Sequence, residues 1–346
     1  MIKPQHLKKG DIVAIVSLSS GMLGEPWAIH KLDIAKNRLE NDFGLKVKVM
    51  PNALKGMAYL YDHPEARAQD LMDAFKDKEV KAIFTAIGGD DTIRLLPYID
   101  FDVIKNNPKI FTGFSDTTVN HLMMRKAGLI SYYGASVMNN WAEYIKINDY
   151  TMDALKSIFF EPKEKYEIKS SSVYSLDPDK VYWKEENVNK TRKYYEEKIG
   201  YKILQGKGKV QGELIGGCVD TFIYLMGTPL WPSVDDFKNK ILLLETSEEN
   251  MSPDILKYIL RNLQAQGVLN VINGIIVGKP AFSDYFEEYQ ETYKTVVGGE
   301  AKLPNLPIIY NVNVGHAEPI GAFALGCKYE IDCDNKRITL LEKATL

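Results

Sequence analysis

Three times within the first 120 residues, a short apolar run stops at a cluster of Gly, Ser or Asp and a helical period begins. The first run, Asp11-Ile12-Val13-Ala14-Ile15-Val16, closes at Ser17-Leu18-Ser19-Ser20-Gly21. It precedes a helical pattern over roughly Pro26 to Asn41, where Ile29, Leu32, Ile34, Ala35 and Leu39 supply an apolar stripe. The second, Ala82-Ile83-Phe84-Thr85-Ala86-Ile87, closes at Gly88-Gly89-Asp90-Asp91 before a helix starting at Thr92. The third, Lys109-Ile110-Phe111-Thr112, closes at Gly113-Phe114-Ser115-Asp116, and Val119, Leu122 and Met123 then fall in helical phase. Unbroken apolar runs belong to strands covered on both faces. Their alternation with helices predicts an α/β layer with a mostly parallel sheet. Ligands of such sheets sit beyond the carboxyl ends of the strands, so the three turns are expected along one edge. Neither a Walker A pattern nor G-x-G-x-x-G is present, and a nucleotide-phosphate cradle is not indicated.

A chain of 346 residues exceeds one small core and predicts two domains. Residues 1–165 read as the α/β domain. Residues 166–207 read as a connecting loop or lid, rich in Lys, Glu, Tyr and Asn, with Pro178 and Trp183 in it. Residues 208–346 read as a β-rich, barrel-like domain: Lys209–Cys218, Lys240–Thr246, Val271–Gly278, Pro307–His316 and Ile338–Leu341 are strand-like, against one clear helix from about Pro253 to Gln266. A net charge of −3 gives no electrostatic case for nucleic acid or an anionic membrane. Cys218, Cys327 and Cys333 form neither a disulfide framework nor a zinc spacing, and His6, His30, His63 and His121 have no acid or cysteine at ligand spacing. No metal or cofactor is therefore expected. The first apolar run is strand-sized, too short for a signal core or a span, and the expected location is cytoplasmic.

Three residues stand at corresponding places: Ser115 follows one strand, Glu245 ends a second, and His316 ends a third behind Gly315. A serine hydroxyl needs an adjacent base to act as a nucleophile. Neutral imidazole supplies one, and a carboxylate fixes its tautomer. Gly88-Gly89-Asp90-Asp91 fits beside them, because backbone N–H groups converging after a strand form an oxyanion hole, with the N–H of Asp116 as second donor. Each feature also has a plainer reading: Ser115 or Asp116 as a helix cap, Asp90 or Asp91 as an N-cap, His316 as a satisfied loop histidine.

Leu7-Lys8-Lys9-Gly10-Asp11-Ile12-Val13-Ala14-Ile15-Val16-Ser17, Gly88-Gly89-Asp90-Asp91, Gly113-Phe114-Ser115-Asp116, Gly216-Gly217, Leu244-Glu245 and Gly315-His316 occur in this order over nearly the whole chain. Together they resemble the LD-carboxypeptidase family of serine peptidases, which includes the microcin C immunity enzymes. The resemblance implies Ser115 as nucleophile, His316 as general base and Glu245 as its orienting acid. It implies an active site in a cleft between an α/β and a β-rich domain, commonly in a homodimer. Murein-recycling members release D-alanine from muropeptides, whereas immunity-type members cut the bond joining a peptidyl or aminoacyl group to a modified adenylate. The Gly-Gly-Asp-Asp turn and the aromatic excursion look like the second type, with Asp91 and Trp183 as substrate-binding candidates and a small peptide or aminoacyl-nucleotide as substrate. Trp183 as a packing residue is the alternative.

Overall fold

The computed structural model describes residues 1–346. Its strands are β1 (Ile12–Val16), β2 (Lys46–Val49), β3 (Val80–Thr85), β4 (Ile110–Gly113), β5 (Ser131–Tyr133), β6 (Tyr166–Ile168), β7 (Val173–Tyr174), β8 (Tyr195–Glu196) and β9 (Lys202–Gln205). The second half adds β10 (Lys209–Cys218), β11 (Ile241–Glu245), β12 (Gly274–Gly278), β13 (Ile308–Val312), β14 (Phe323–Leu325), β15 (Lys328–Asp332) and β16 (Arg337–Leu340). The first sheet runs β14-β5-β4-β3-β1-β2. Its five strands from the first half pair in parallel, as the unbroken apolar runs of β1, β3 and β4 lead one to expect, and only β14 runs against them.

The second sheet runs β6-β16-β15-β10-β11-β12-β13-β9. It is β-rich as expected but stays open, with β6 and β9 as its edges. Its middle, β10 to β13, is parallel, and the outer pairs are antiparallel. Parallel neighbours need crossovers, and helices supply them. Pro253–Ala265 begins on a Ser252 side-chain cap and was legible from its stripe. Phe286–Tyr293 was not, because its charged sequence leaves little more than Tyr289 and Tyr293 to mark the buried face.

One continuous apolar cluster contains Val13, Ile15 and Phe84 from the first sheet and Leu214, Leu243 and Ile276 from the second. The two sheets therefore share a core. The excursion between the sheets carries the β7–β8 ribbon. No helix is long and apolar enough to cross a membrane.

Candidate active site

Strand β4 ends at Gly113, Phe114 is extended, and Ser115 turns into the left-handed region at φ +65°. An L-residue held there costs on the order of 1 kcal/mol, so neighbours must fix it. Two do: the Ser115 N–H donates to Tyr133 Oη at 3.0 Å, and its C=O accepts from Thr118 Oγ1 at 2.7 Å. A single 3-10 turn then leads into the helix Thr118–Lys126. This is a strand–turn–helix corner that lifts a hydroxyl clear of the sheet. Gly88 lies against it. A Cβ there would stand 2.7 Å from Ser115 Cβ and 3.0 Å from Oγ, so only glycine lets the β3 turn come this close. The same position is 3.4 Å from the Asp116 nitrogen, which brings the Gly88–Asp90 turn and the Asp116 N–H to one spot.

Asp116 is fully buried, and its carboxylate has a role beyond its N–H. It accepts from Ser19 Oγ at 2.5 Å, Thr92 Oγ1 at 2.5 Å, the Thr92 N–H at 2.9 Å and the Tyr224 hydroxyl. One side chain thus ties the turns after β1, β3 and β4 to the second half of the chain. Asp91 has its carboxylate paired to the buried Arg67 at 2.6 Å and to Arg94 at 2.9 Å.

Glu245 ends β11 with 1% of its surface exposed. One oxygen accepts from His316 Nδ1 at 2.8 Å, and the other from the Tyr133 hydroxyl. Gly315 makes this approach possible: a Cβ there would lie 2.2 Å from Glu245 Cδ. The imidazole of His316 packs edge-on against Phe114, with ring centroids 5.0 Å apart. Its other nitrogen, Nε2, meets Glu248 Oε2 at 3.2 Å. Burial alone would lower the pKa of this ring. The charge and hydrogen bond of Glu245, helped by Glu248 and Asp220, outweigh burial and push it up to about 9.

Of the residues singled out in the sequence, Glu245 and His316 are therefore in direct contact. Ser115 is linked to Glu245 through Tyr133 and makes no hydrogen bond to His316. Tyr133, Thr118 and Glu248 lay outside the sequence reading. Tyr133 and Glu248 meet Glu245 and His316 from positions far off in the chain, and Thr118 bonds back to Ser115 from the first turn of a helix, so no sequence pattern marks them.

Two family models match this chain. The one described as the LD-carboxypeptidase N-terminal domain covers residues 13–134, and the one described as the C-terminal domain covers residues 211–331. The chain belongs to the LD-carboxypeptidase family. It is 32% identical to the putative carboxypeptidase YocD of Bacillus subtilis over 96% of this chain and 97% of that one. It is 28% identical to the microcin C7 self-immunity protein MccF of Escherichia coli, over 80% of this chain and 78% of that one. A crystal structure of an MccF-like protein from Streptococcus pneumoniae, in complex with AMP, superposes with a TM-score of 0.87 at 35% identity. That match covers 95% of this chain and 98% of the other.

In this member of the LD-carboxypeptidase family, the excursion is held down by buried charges. Arg192 donates to Glu143 at 2.7 and 2.8 Å and lies over the Tyr182 ring. Lys31, whose pKa burial lowers to about 8, donates to the Tyr182 carbonyl at 2.7 Å. Lys279 pairs with Glu197. Trp183 is half-buried against the core, with its ring centroid 5.8 Å from Lys31 Nζ.

Cys218 sits opposite Glu245 in register, and its Sγ, the Glu245 carboxylate and an imidazole nitrogen lie within 4.8 Å of one another. Spacing in the sequence could not reveal that proximity. Burial pushes the thiol well above its usual pKa, and Sγ stands 3.4 Å from Asp220 Oδ2. The thiol is thus held protonated, and Glu245 and His316 are hydrogen-bonded to each other, a set poorly suited to a metal that needs a thiolate.

Proposed function

We propose that this serine peptidase cleaves the amide-type bond joining an aminoacyl or peptidyl group to a modified adenylate. The observation that carries the reading is the Glu245–His316 pair, held at 2.8 Å beside a serine forced into the left-handed region. Ser115 Oγ attacks the acyl carbonyl while His316 Nε2 takes its proton. Glu245 keeps the other ring nitrogen protonated and stabilises the imidazolium. The oxyanion lies between the N–H of Gly89 or Asp90 and that of Asp116. As the C–N bond breaks, the imidazolium returns its proton to the leaving nitrogen. Water then hydrolyses the acyl-enzyme ester by the same base. The nucleotide half of the reading is supported by the AMP-bound MccF-like neighbour.

Two assays test it. One follows cleavage of aminoacyl-sulfamoyl adenosines, and the other follows D-alanine release from murein tetrapeptide. We expect turnover in the first, and Ser115→Ala to reduce it at least 1,000-fold with an unchanged melting temperature. D-alanine release alone would make the chain a murein carboxypeptidase. Ligand binding with turnover of neither substrate would make it a binding protein.

A further inference from the structure

The base nitrogen of the proposed triad is already taken. His316 Nε2 is the atom that must accept the Ser115 proton, and it stands 3.2 Å from a carboxylate oxygen of Glu248. With Glu245 on Nδ1, the imidazole lies between two acids, an arrangement that keeps a proton on both nitrogens. A ring in that state is no base. The two acids differ in one respect. The Glu245 side chain is wholly buried, whereas that of Glu248 is 43% exposed and has no partner other than His316.

The backbone around Glu248 is fixed. The Ser247 N–H and Oγ bind Asp220 at 3.0 and 2.8 Å, and the Glu249 N–H donates to Ser247 Oγ at 3.2 Å. The half-exposed Glu248 side chain extends from this anchored turn. The charged groups acting on the imidazole, Glu245, Glu248 and Asp220, are all acids. The basic side chains of the neighbouring turns are spent: Lys279 on Glu197, and Arg67 and Arg94 on Asp91. The imidazolium is thus the one cation this acidic wall has.

We propose that Glu248 determines specificity for the acyl half of the substrate: it binds a cationic nitrogen there and, in turning to it, releases His316 Nε2 to Ser115. This rests on the hydrolase reading above. A substrate ammonium or guanidinium replaces the imidazolium as counter-ion, so Glu248 stays compensated while the ring gives up its second proton to solvent water. A neutral acyl group offers no such exchange, and an acidic one is repelled. The cation can be the α-ammonium of an aminoacyl group or a basic side chain.

The test measures kcat/KM for lysyl-, leucyl- and glutamyl-sulfamoyl adenosine, each with a free and an N-acetylated α-amine, on the wild type, Glu248→Gln and Glu248→Lys. The wild type should favour the lysyl over the leucyl substrate at least tenfold, and disfavour the glutamyl one further. If the α-ammonium is the cation, acetylation should cost at least tenfold with every side chain. Glu248→Gln should shrink these ratios to about threefold or less, and Glu248→Lys should reverse the order in favour of glutamyl. Turnover by the wild type without a charge or acetylation effect, or a preference that survives Glu248→Gln, overturns the role of Glu248 and leaves the hydrolase reading standing. Turnover of no substrate overturns both.

Discussion

In the proposed mechanism His316 carries most of the chemistry at the scale of single residues, and its surroundings set the pH at which it would work. Burial depresses the pKa of the ring, but Glu245, Glu248 and Asp220 together hold it near 9 in the free protein. The base form is the deprotonated one, and kcat/KM reports the free enzyme. We therefore expect kcat/KM to keep rising from pH 7 toward pH 9, and Glu248→Gln, which removes one of the raising charges, to move the rise to lower pH. A plateau already reached at pH 7 in the wild type would contradict this assignment. The same shift is a stability effect: the ion pairs of the charged ring contribute fully below about pH 6.5 and are lost as pH passes through about 9.

Among the elements, the excursion from β7 to β8 depends on charge rather than on an apolar face. Arg192 is the clasp. Replacing it with Ala leaves Glu143, 3% exposed along its side chain, without its cation. That loss should loosen the excursion by about 3 kcal/mol. Hydrogen exchange would register it as lost protection over residues 173–198 with β3 unaffected; unchanged protection there would refute the clasp. This dependence also explains what the sequence could convey. Strand–turn–helix units are written locally, in apolar runs and turn residues, and β1, β3 and β4 emerge where expected. Ser115, Glu245 and His316 could be singled out as candidates because each stands at the end of an apolar strand-like run. The order of the excursion comes from partners such as Glu143 and Lys279, at positions no local pattern marks. The Tyr133 bridge and the Glu248 contact were hidden for the same reason, and so was the helix Phe286–Tyr293, whose polar sequence has no broad stripe.

For the molecule as a whole, the seam between the sheets is also where its least comfortable charge lies. Glu318, two residues beyond His316, has its pKa pushed up to about 7 by burial, with Glu143 adding to the shift and Arg192 opposing it. An acid whose folded pKa exceeds its unfolded one resists ionisation in the fold. The cost is absent below about pH 4.5, grows as pH rises and is complete above about 7. Glu318→Gln should therefore stabilise the protein by about 1–3 kcal/mol at pH 8 and give no gain at pH 4, as read from urea denaturation at the two values. Equal effects at both would mean that the side chain is not titrating.

The return of β14 to the first sheet has a consequence for biosynthesis. While the polypeptide is still being translated, β5 offers a bare edge to its surroundings until Phe323–Leu325 leaves the ribosome and covers it. His316 emerges just ahead of that segment. The newborn protein thus gains the imidazole of the proposed triad at nearly the moment it loses its sticky side.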